Sequence, residues 1–132
     1  MSRIVQLSEA STIGLHSMVL IARSKEITNV NKIAELTGAS KNHLAKVMQR
    51  LVKAGFLKST RGPTGGFVLK KQPSEITLLD IYEAIEGVIE TSGCPMEQPI
   101  CPFNKCLLGN IIRDVSENIR DNFKNVTLQE YL

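Results

Sequence analysis

The chain has 132 residues, 42% of them hydrophobic and 22% charged, and a formal net charge of +3. Such a length is typical of one domain, and such a composition excludes an intrinsically disordered chain. The longest apolar stretch, residues 13–22, is too short for a membrane helix of roughly 18 residues, and the first residues do not resemble a secretory signal. We expect a soluble cytoplasmic protein with no membrane contact.

The charged residues are unevenly distributed along the chain. Residues 36–74 contain no acidic residue but eight basic ones: Lys41, Lys46, Arg50, Lys53, Lys58, Arg61, Lys70 and Lys71. The rest of the chain holds the other eight of the 16 basic residues together with all 13 acidic ones. A positive face of this kind would attract a polyanion such as DNA. The alternative is a solvated lysine-rich surface.

The apolar spacing of the first part of the chain predicts three helices, over about residues 8–23, 30–37 and 41–54. Capping residues stand at their ends: Ser8 or Ser11, Gly38, Ser40 and Gly55. The third helix has one apolar stripe and leaves basic side chains outside it. Two short helices of this kind, the second one basic, form the pattern of a helix-turn-helix.

A glycine-rich hairpin is predicted directly after the third helix. Short strands at residues 56–57 and 67–69 flank a basic segment that contains three glycines and a proline. A helix-turn-helix followed by such a hairpin is a winged helix, which places a helix in the major groove and the wing on phosphate or in the minor groove. The alternative is a plain solvent-exposed hairpin. We predict these DNA contacts: Ser40, Asn42, His43, Lys46, Arg61, Gly62, Thr64 and Gly65.

Two further helices are predicted, over residues 78–87 with Thr77 as cap and over residues 107–124. The second has a long apolar stripe: Leu107, Leu108, Ile111, Ile112, Val115, Ile119 and Phe123. This stripe either packs on the core or pairs with a second copy, and a homodimer suits a reader of palindromic double-stranded DNA. Residues 127–130 match a capping box that begins a short terminal turn.

The fold class that follows is mainly α with a small β wing, namely a winged helix-turn-helix followed by a long C-terminal dimerisation helix. We divide the chain into a DNA-binding domain over residues 1–88, a cysteine-bearing loop over residues 89–106, and the dimerisation helix with its terminal turn over residues 107–132.

Cys94, Cys101 and Cys106 are separated by six and four residues in a segment rich in proline. This spacing is not the C-x-x-C pair of common zinc and thioredoxin-like sites, and it is closer to a loop that wraps an iron–sulfur cluster. Structural cysteines, a zinc site and a thiol–disulfide sensor are the alternatives. Three thiolates leave one position open. Of the two histidines, His43 is better assigned to DNA, which leaves His16 as a candidate, although a histidine there can equally be structural. His16 shares a helix face with Glu9.

Several motifs together resemble the Rrf family of bacterial winged-helix transcriptional regulators, in its IscR/NsrR/RirA-like group of three-cysteine iron–sulfur proteins. They are KIAEL at residues 32–36, RGPTGG at 61–66, TLLD at 77–80, the three cysteines and TLQE at 127–130, and they cover essentially the whole chain. The resemblance implies a homodimer whose C-terminal helices cross at the interface. It also implies one iron–sulfur cluster per protomer, [2Fe-2S] or [4Fe-4S], held by the cysteine loop near the first helix of the partner.

The family pattern also bears on the fourth cluster ligand. Some members have a histidine three residues after the third cysteine, where this sequence has Gly109, and others use an aspartate of the first helix, where Thr12 falls. A redox-sensing member uses a histidine at the position of His16. The resemblance therefore implies His16 of the partner subunit as the fourth ligand, with Glu9 as the runner-up. An open position that binds water or a small molecule is the third possibility.

We expect a DNA-binding regulator, of the repressor type, whose affinity for DNA is controlled by a cluster that senses iron, redox state, oxygen or nitric oxide. The alternative is a cluster-free winged-helix repressor that responds to thiol chemistry, a metabolite or a protein partner. We expect no enzyme, because the sequence shows no nucleophilic triad, nucleotide-binding loop or carboxylate pair. An iron–sulfur electron carrier would have little use for a basic wing.

Overall fold

The computed structural model describes residues 7–91, 102–104 and 107–132. In this part of the chain five α-helices and one two-stranded antiparallel sheet follow in the order α1 Glu9–Arg23, α2 Val30–Thr37, α3 Lys41–Lys53, β1 Leu57–Thr60, β2 Gly66–Leu69, α4 Leu78–Glu86 and α5 Gly109–Lys124. Short 3-10 turns stand at Pro73–Glu75 and Leu128–Tyr131. The predicted fold class, mainly helical with a small β wing, is confirmed.

Polar side chains fix where the first three helices begin. Ser8 caps α1 by accepting a hydrogen bond from the backbone N–H of Ser11, so the first of the two predicted caps is the one used. Asn29 caps α2 in the same way. Ser40 caps α3 by accepting from the N–H of His43 at 3.2 Å. These bonds satisfy backbone donors that a helix leaves unpaired at its first turn.

The core lies between α1 and the helices α2, α3 and α4. It is built from apolar side chains that are fully buried or nearly so: Met18, Ile21, Ile33, Leu44, Val47, Met48, Leu51, Leu57, Ile76, Ile81 and Leu128. Helix α5 packs on α4, where the rings of Tyr82 and Phe123 are 5.9 Å apart. No helix of the described ranges is long and apolar enough to cross a membrane.

The wing is longer than predicted and is joined to the segment before α2. Strand β1 runs to Thr60, which pairs with Gly66, so the hairpin tip begins only at residue 61. Thr28 adds an isolated bridge, since its N–H donates to the carbonyl of Phe67 at 3.1 Å and its carbonyl accepts from the N–H of Phe67 at 2.8 Å. A β-carbon at Gly66 would lie 2.5 Å from that carbonyl oxygen of Thr28. Only glycine therefore permits this close approach.

The end of the chain pairs with the segment that leads into α4. The N–H of Leu78 donates to the carbonyl of Val126 at 2.9 Å, and the N–H of Leu128 donates to the carbonyl of Ile76 at 3.0 Å. Leu128 is fully buried in the core. Residues from both the predicted DNA-binding domain and the predicted dimerisation region thus share one core, and the proposed division of the chain stays a prediction.

The capping box predicted at residues 127–130 is wrong. The side chain of Thr127 makes no capping hydrogen bond, and the turn that follows is a 3-10 turn whose Glu130 N–H donates to the backbone carbonyl of Thr127. A capping box is present instead at α4, where the Thr77 hydroxyl accepts from the N–H of Asp80 and the Asp80 carboxylate accepts from the N–H of Thr77, both at 3.0 Å. Helix α5 begins at Gly109, two residues later than predicted.

Candidate nucleic-acid interface and metal site

The predicted DNA contacts on α3 lie together at its first two turns. Asn42 and Lys46 are one turn apart, and both are exposed. Ser40 is exposed as well, and its hydroxyl oxygen is used to cap the helix. His43 is half-buried, with about a third of its side chain exposed, and it faces α1. The start of α3 therefore presents an amide and an ammonium to solvent, with an imidazole at their flank.

The acidic side chain of Glu9 reaches this end of α3. Its Oε1 lies 3.9 Å from Nδ1 of His43, and 78% of the Glu9 side chain is exposed. His16 lies two turns further along α1, about 10 Å along the helix axis. The structure thus brings Glu9 to His43 rather than to His16, and sequence reasoning missed the contact because the two residues are 34 positions apart.

The tip of the wing is a tight turn made possible by glycines. Gly62 has a φ of +106°, and the N–H of Gly65 donates to the Gly62 carbonyl at 3.0 Å. A β-carbon at Gly65 would overlap the carbonyl oxygen of Thr60, so the two sides of the tip lie too close for any other residue. Arg61 and Thr64 are exposed on this tip. Arg61 has no hydrogen bond or ion pair within the described ranges, so its guanidinium is available for a phosphate.

Two of the eight basic side chains have partners inside the protein. Arg50 donates from Nη1 to the backbone carbonyl of Ile85 at 3.0 Å, which ties α3 to the last turn of α4. The ammonium of Lys71 lies 5.0 Å from the centre of the Phe56 ring. Arg50 is therefore not free on the outer side of α3, where the sequence placed it. All eight are exposed, and the other six have no partner within the described ranges: Lys41, Lys46, Lys53, Lys58, Arg61 and Lys70.

His16 has the hydrogen bond of a prepared metal ligand. Its Nδ1 lies 2.8 Å from the backbone carbonyl of Thr12. A carbonyl only accepts, so Nδ1 is the donor, and in the neutral ring the lone pair is then on Nε2. Ligating histidines commonly donate their other ring N–H to a carbonyl in this way. The exposed ring borders an open cleft of about 620 Å³ between α1, α2, α4 and the terminal turn, lined also by Thr12, Ile13, Leu15, Val19, Leu20, Leu36, Thr37, Leu78 and Tyr131.

The other predicted cluster ligands, Cys94, Cys101 and Cys106, lie outside the described residues. Residues 7–91, 102–104 and 107–132 contain no group of three or more His, Cys, Asp or Glu side chains that could hold a metal ion. The donor set is nevertheless chemically suited to an iron–sulfur cluster, because three thiols and an imidazole with a free nitrogen are ligands that such clusters take. This ligand set stays a prediction.

A model of a protein family, described as iron-dependent transcriptional regulators of the Rrf2 family, matches residues 7–132. The chain belongs to the Rrf2 family. The resemblance inferred from the motifs is confirmed, and so is the expectation of a transcriptional regulator rather than an enzyme, since Rrf2 proteins are regulators.

Curated Rrf2 relatives carry the name HTH-type transcriptional regulator IscR. The protein of Pectobacterium atrosepticum is 33% identical over 98 residues, and that of Yersinia pestis is 34% identical over 98 residues. Each match covers 74% of this chain and 60% of the relative. The chain therefore spans less than two thirds of the length of these relatives.

Solved Rrf2 structures share the fold. CymR of B. subtilis, described as the global cysteine regulator, superposes with a TM-score of 0.78 at 26% identity over 95% of this chain and 94% of that one. CymR of Staphylococcus aureus gives 0.72 at 27% identity, covering 92% and 93% of the two chains. IscR of T. potens gives 0.73 at 24% identity, covering 95% and 84%. The winged-helix architecture is thus established.

Proposed function

We propose that this Rrf2 regulator binds double-stranded DNA through α3 and the wing, and that an iron–sulfur cluster sets its affinity. The observations that carry the DNA-binding part are the guanidinium of Arg61, unpaired in the described part of the chain, on the wing, whose tight turn requires glycines, and the exposed side chains on the first turns of α3. Both lie in a stretch of 39 residues, 36–74, that has no acidic side chain. Because phosphates dominate the affinity of DNA-binding proteins, this charge distribution supports DNA as the ligand.

The predicted contacts divide into two roles. Asn42 and Lys46 stand on the outer face of α3 and can reach base edges and phosphates in the major groove. Arg61 and Thr64 on the wing, with the backbone amides near Gly62, can reach phosphate or the minor groove. Ser40 mainly positions the start of α3. We propose that the protein is cytoplasmic and that it acts as a repressor.

The outer face of α5 supports a homodimer. Leu107 and Leu108, just before α5, and Ile111 and Val115 on it are between 43% and 70% exposed, whereas Ile112 is buried against the rest of the chain. Four of the seven residues of the predicted apolar stripe therefore face solvent, where they are costly in a single copy. Pairing of two α5 helices would cover it and would present two copies of α3 to a palindromic operator.

We further propose that Cys94, Cys101 and Cys106 hold one cluster per protomer, [2Fe-2S] or [4Fe-4S], with His16 of the partner subunit as the fourth ligand. When bound, the cluster supplies reversible bonds between these ligands that respond to iron, redox state, oxygen or nitric oxide. The hydrogen bond from His16 to the Thr12 carbonyl orients the ring so that Nε2 is the nitrogen that binds. Glu9 is the less suitable ligand, since it lies beside His43.

The test begins with protein purified without oxygen, with iron and sulfide assays and an ultraviolet–visible spectrum. We expect a brown protein with broad absorption in the visible range that Cys101→Ala loses, and an altered spectrum in His16→Ala. Thr12→Ala, which keeps the Thr12 carbonyl, is the control and should leave the spectrum unchanged. A gel-shift assay should then show that a duplex selected by the protein from a random pool binds with different affinity after the cluster is removed.

The second candidate function is a cluster-free repressor whose cysteines respond directly to thiol oxidation. It is favoured by the likeness to CymR, one structure of which, from Staphylococcus aureus, is described as the oxidized form and is 25% identical to this chain with a TM-score of 0.73. A protein that stays colourless after cluster reconstitution, and whose DNA affinity changes when its thiols are oxidised, would support this candidate and contradict the cluster.

A further inference from the structure

The last turn of α4 is held by side chains from two other helices. The guanidinium of Arg50, in the last turn of α3, donates to the backbone carbonyl of Ile85 at 3.0 Å. The hydroxyl of Ser8, the N-cap of α1, donates to the carboxylate of Glu86. These pairs join residues that are 35 and 78 positions apart in the chain. A guanidinium on a helix C-terminal carbonyl is a charge-assisted hydrogen bond that the helix dipole strengthens.

The segment that follows α4 is anchored to the same turn. Gly87 leaves the helix with a φ of +92°, and Val88 is 78% exposed. The chain then turns back, because Ile89 is buried and its N–H donates to the carboxylate of Glu83 at 3.2 Å. Residues 87–91 are the covalent connection between α4 and the segment that carries the cysteines. A displacement of that segment therefore acts first on this anchor.

Both connections lead from α4 to α3, the helix that carries the proposed DNA contacts Asn42 and Lys46. Arg50 lies one turn after Lys46 on α3, so the bond to Ile85 sets the axial position of α3. The second connection runs through the start of α1. Ser8 binds Glu86 of α4, and the next residue, Glu9, lies 3.9 Å from His43 at the start of α3. Two separate connections thus run from the last turn of α4 to α3, one to its last turn at Arg50 and one to its first turn at His43.

We propose that the last turn of α4 is the junction through which the cysteine segment and the DNA-binding face affect one another, with Arg50 as the positioning residue of α3. This inference deepens the proposed function: it rests on the proposed binding of DNA through α3, and on the cluster only in the first of its tests. The anchor of Ile89 fixes the last turn of α4, and the bond from Arg50 passes the position of that turn to α3. Binding of DNA must then change the cysteine segment, because coupling between two sites is reciprocal.

The test is a coupling measurement on the full chain with Arg50→Gln. Lys53→Gln is the matched control, since it removes the same charge one turn away from an exposed side chain without a partner in the described part of the chain. The dissociation constant for the selected duplex is measured with and without the cluster. Between these two states we expect a wild-type difference of about 5- to 150-fold. That difference should shrink at least threefold in Arg50→Gln, whereas Lys53→Gln should weaken both states equally.

A second readout does not need the cluster. The rate at which iodoacetamide alkylates Cys94, Cys101 and Cys106 is measured on reduced, cluster-free protein with and without the duplex. We expect the duplex to change this rate in wild type and in Lys53→Gln, but much less in Arg50→Gln. An equal change in Arg50→Gln and wild type, or no change in wild type, would overturn the junction. If the DNA affinity of the wild type does not change with the cluster, but its alkylation rate depends on DNA and on Arg50, the proposed cluster control is contradicted and the junction is not.

A second pair of variants guards against misfolding of Arg50→Gln. Glu83→Ala releases the N–H of Ile89 and leaves Arg50 in place, while Glu90→Ala removes an exposed carboxylate with no partner within the described ranges. Glu83→Ala should reduce the effect of DNA on alkylation, and Glu90→Ala should not. If both behave as wild type, the anchor has no part in the coupling and the proposal fails.

Discussion

Gly14 of α1 lies directly against the Cδ1 methyl of Ile85 on α4, so close that a β-carbon at position 14 would overlap it. The next atom that such a β-carbon would meet is Cγ1 of Val47, at an ordinary distance of 3.4 Å. The approach of α1 to α4 is therefore limited by one methyl group. Gly14 is buried, so this contact helps to set the position of the helix whose last turn Arg50 holds.

Gly14→Ala gains about 0.5–1 kcal/mol of helix stability but forces the Cδ1 methyl of Ile85 to move within the core, so the net loss of stability should be at most about 2 kcal/mol. Ile85→Val removes Cδ1 and should restore the space. The double variant should then be less destabilised than the sum of the two single variants, as measured by urea unfolding. Strictly additive effects would contradict the contact, because residues that touch are expected to couple.

Ser116→Ala should raise the free energy of unfolding by about 1 kcal/mol. The Ser116 hydroxyl is fully buried and has no hydrogen-bond partner in the described part of the chain. Folding therefore removes its hydrogen bonds to water without replacing them, and alanine avoids this cost. Ser11→Ala is the control, since the equally buried Ser11 hydroxyl donates to the Ser8 carbonyl at 3.0 Å. It should destabilise. Thermal unfolding followed by circular dichroism compares the two, and a loss of stability in Ser116→Ala would count against a free hydroxyl.

Arg61→Ala should reduce affinity for the selected duplex at least about tenfold and lower its salt dependence, because the side chain is the free guanidinium of the wing. Lys53→Ala should lower only the slope of log affinity against log salt, by about one phosphate contact. Gel shifts over a range of salt concentrations measure both. Normal binding by Arg61→Ala would remove the wing from the interface.

Thr77→Ala should destabilise the protein by about 0.5–2 kcal/mol, since it removes the cap of α4. Thr127→Ala should cost clearly less, because the side chain of Thr127 caps nothing and its pairing with Thr77 uses the backbone. Urea unfolding of the two variants tests the assignment of the capping box to α4. Equal losses would mean that the Thr127 hydroxyl has a role that its geometry does not indicate.

The helices up to α4 could be predicted to within about one residue because their signals are local. Ser40, Gly38 and Thr77 act within one turn of their own positions, and the alternation of apolar residues is visible in short windows. The apolar stripe of α5 could be predicted from its spacing, but which of its residues are exposed depends on where α4 lies. That position is set by distant residues.

Contacts between distant residues escaped prediction for the same reason. Nothing near Thr28 indicates that it pairs with Phe67, and nothing near Arg50 distinguishes it from the free bases beside it. Strand β1 was predicted too short, because its second half, up to Thr60, is polar and exposed and has no apolar alternation to reveal it. The extent of β1 is set by its pairing with β2, which runs from Leu57 to Thr60.

The burial of Leu128 has a consequence for how the protein is made. The Leu128 side chain packs in the same core as Met18 and Ile81, and the backbone N–H of Leu128 donates to the carbonyl of Ile76. A nascent chain that has reached residue 110 has produced every predicted DNA contact, yet it lacks the residue that completes the packing beneath them. Synthesis proceeds at about 5–20 residues per second, so an incompletely packed chain persists for seconds on every ribosome. Interrupted translation would therefore release fragments that are substrates for chaperones and proteases rather than partly active regulators.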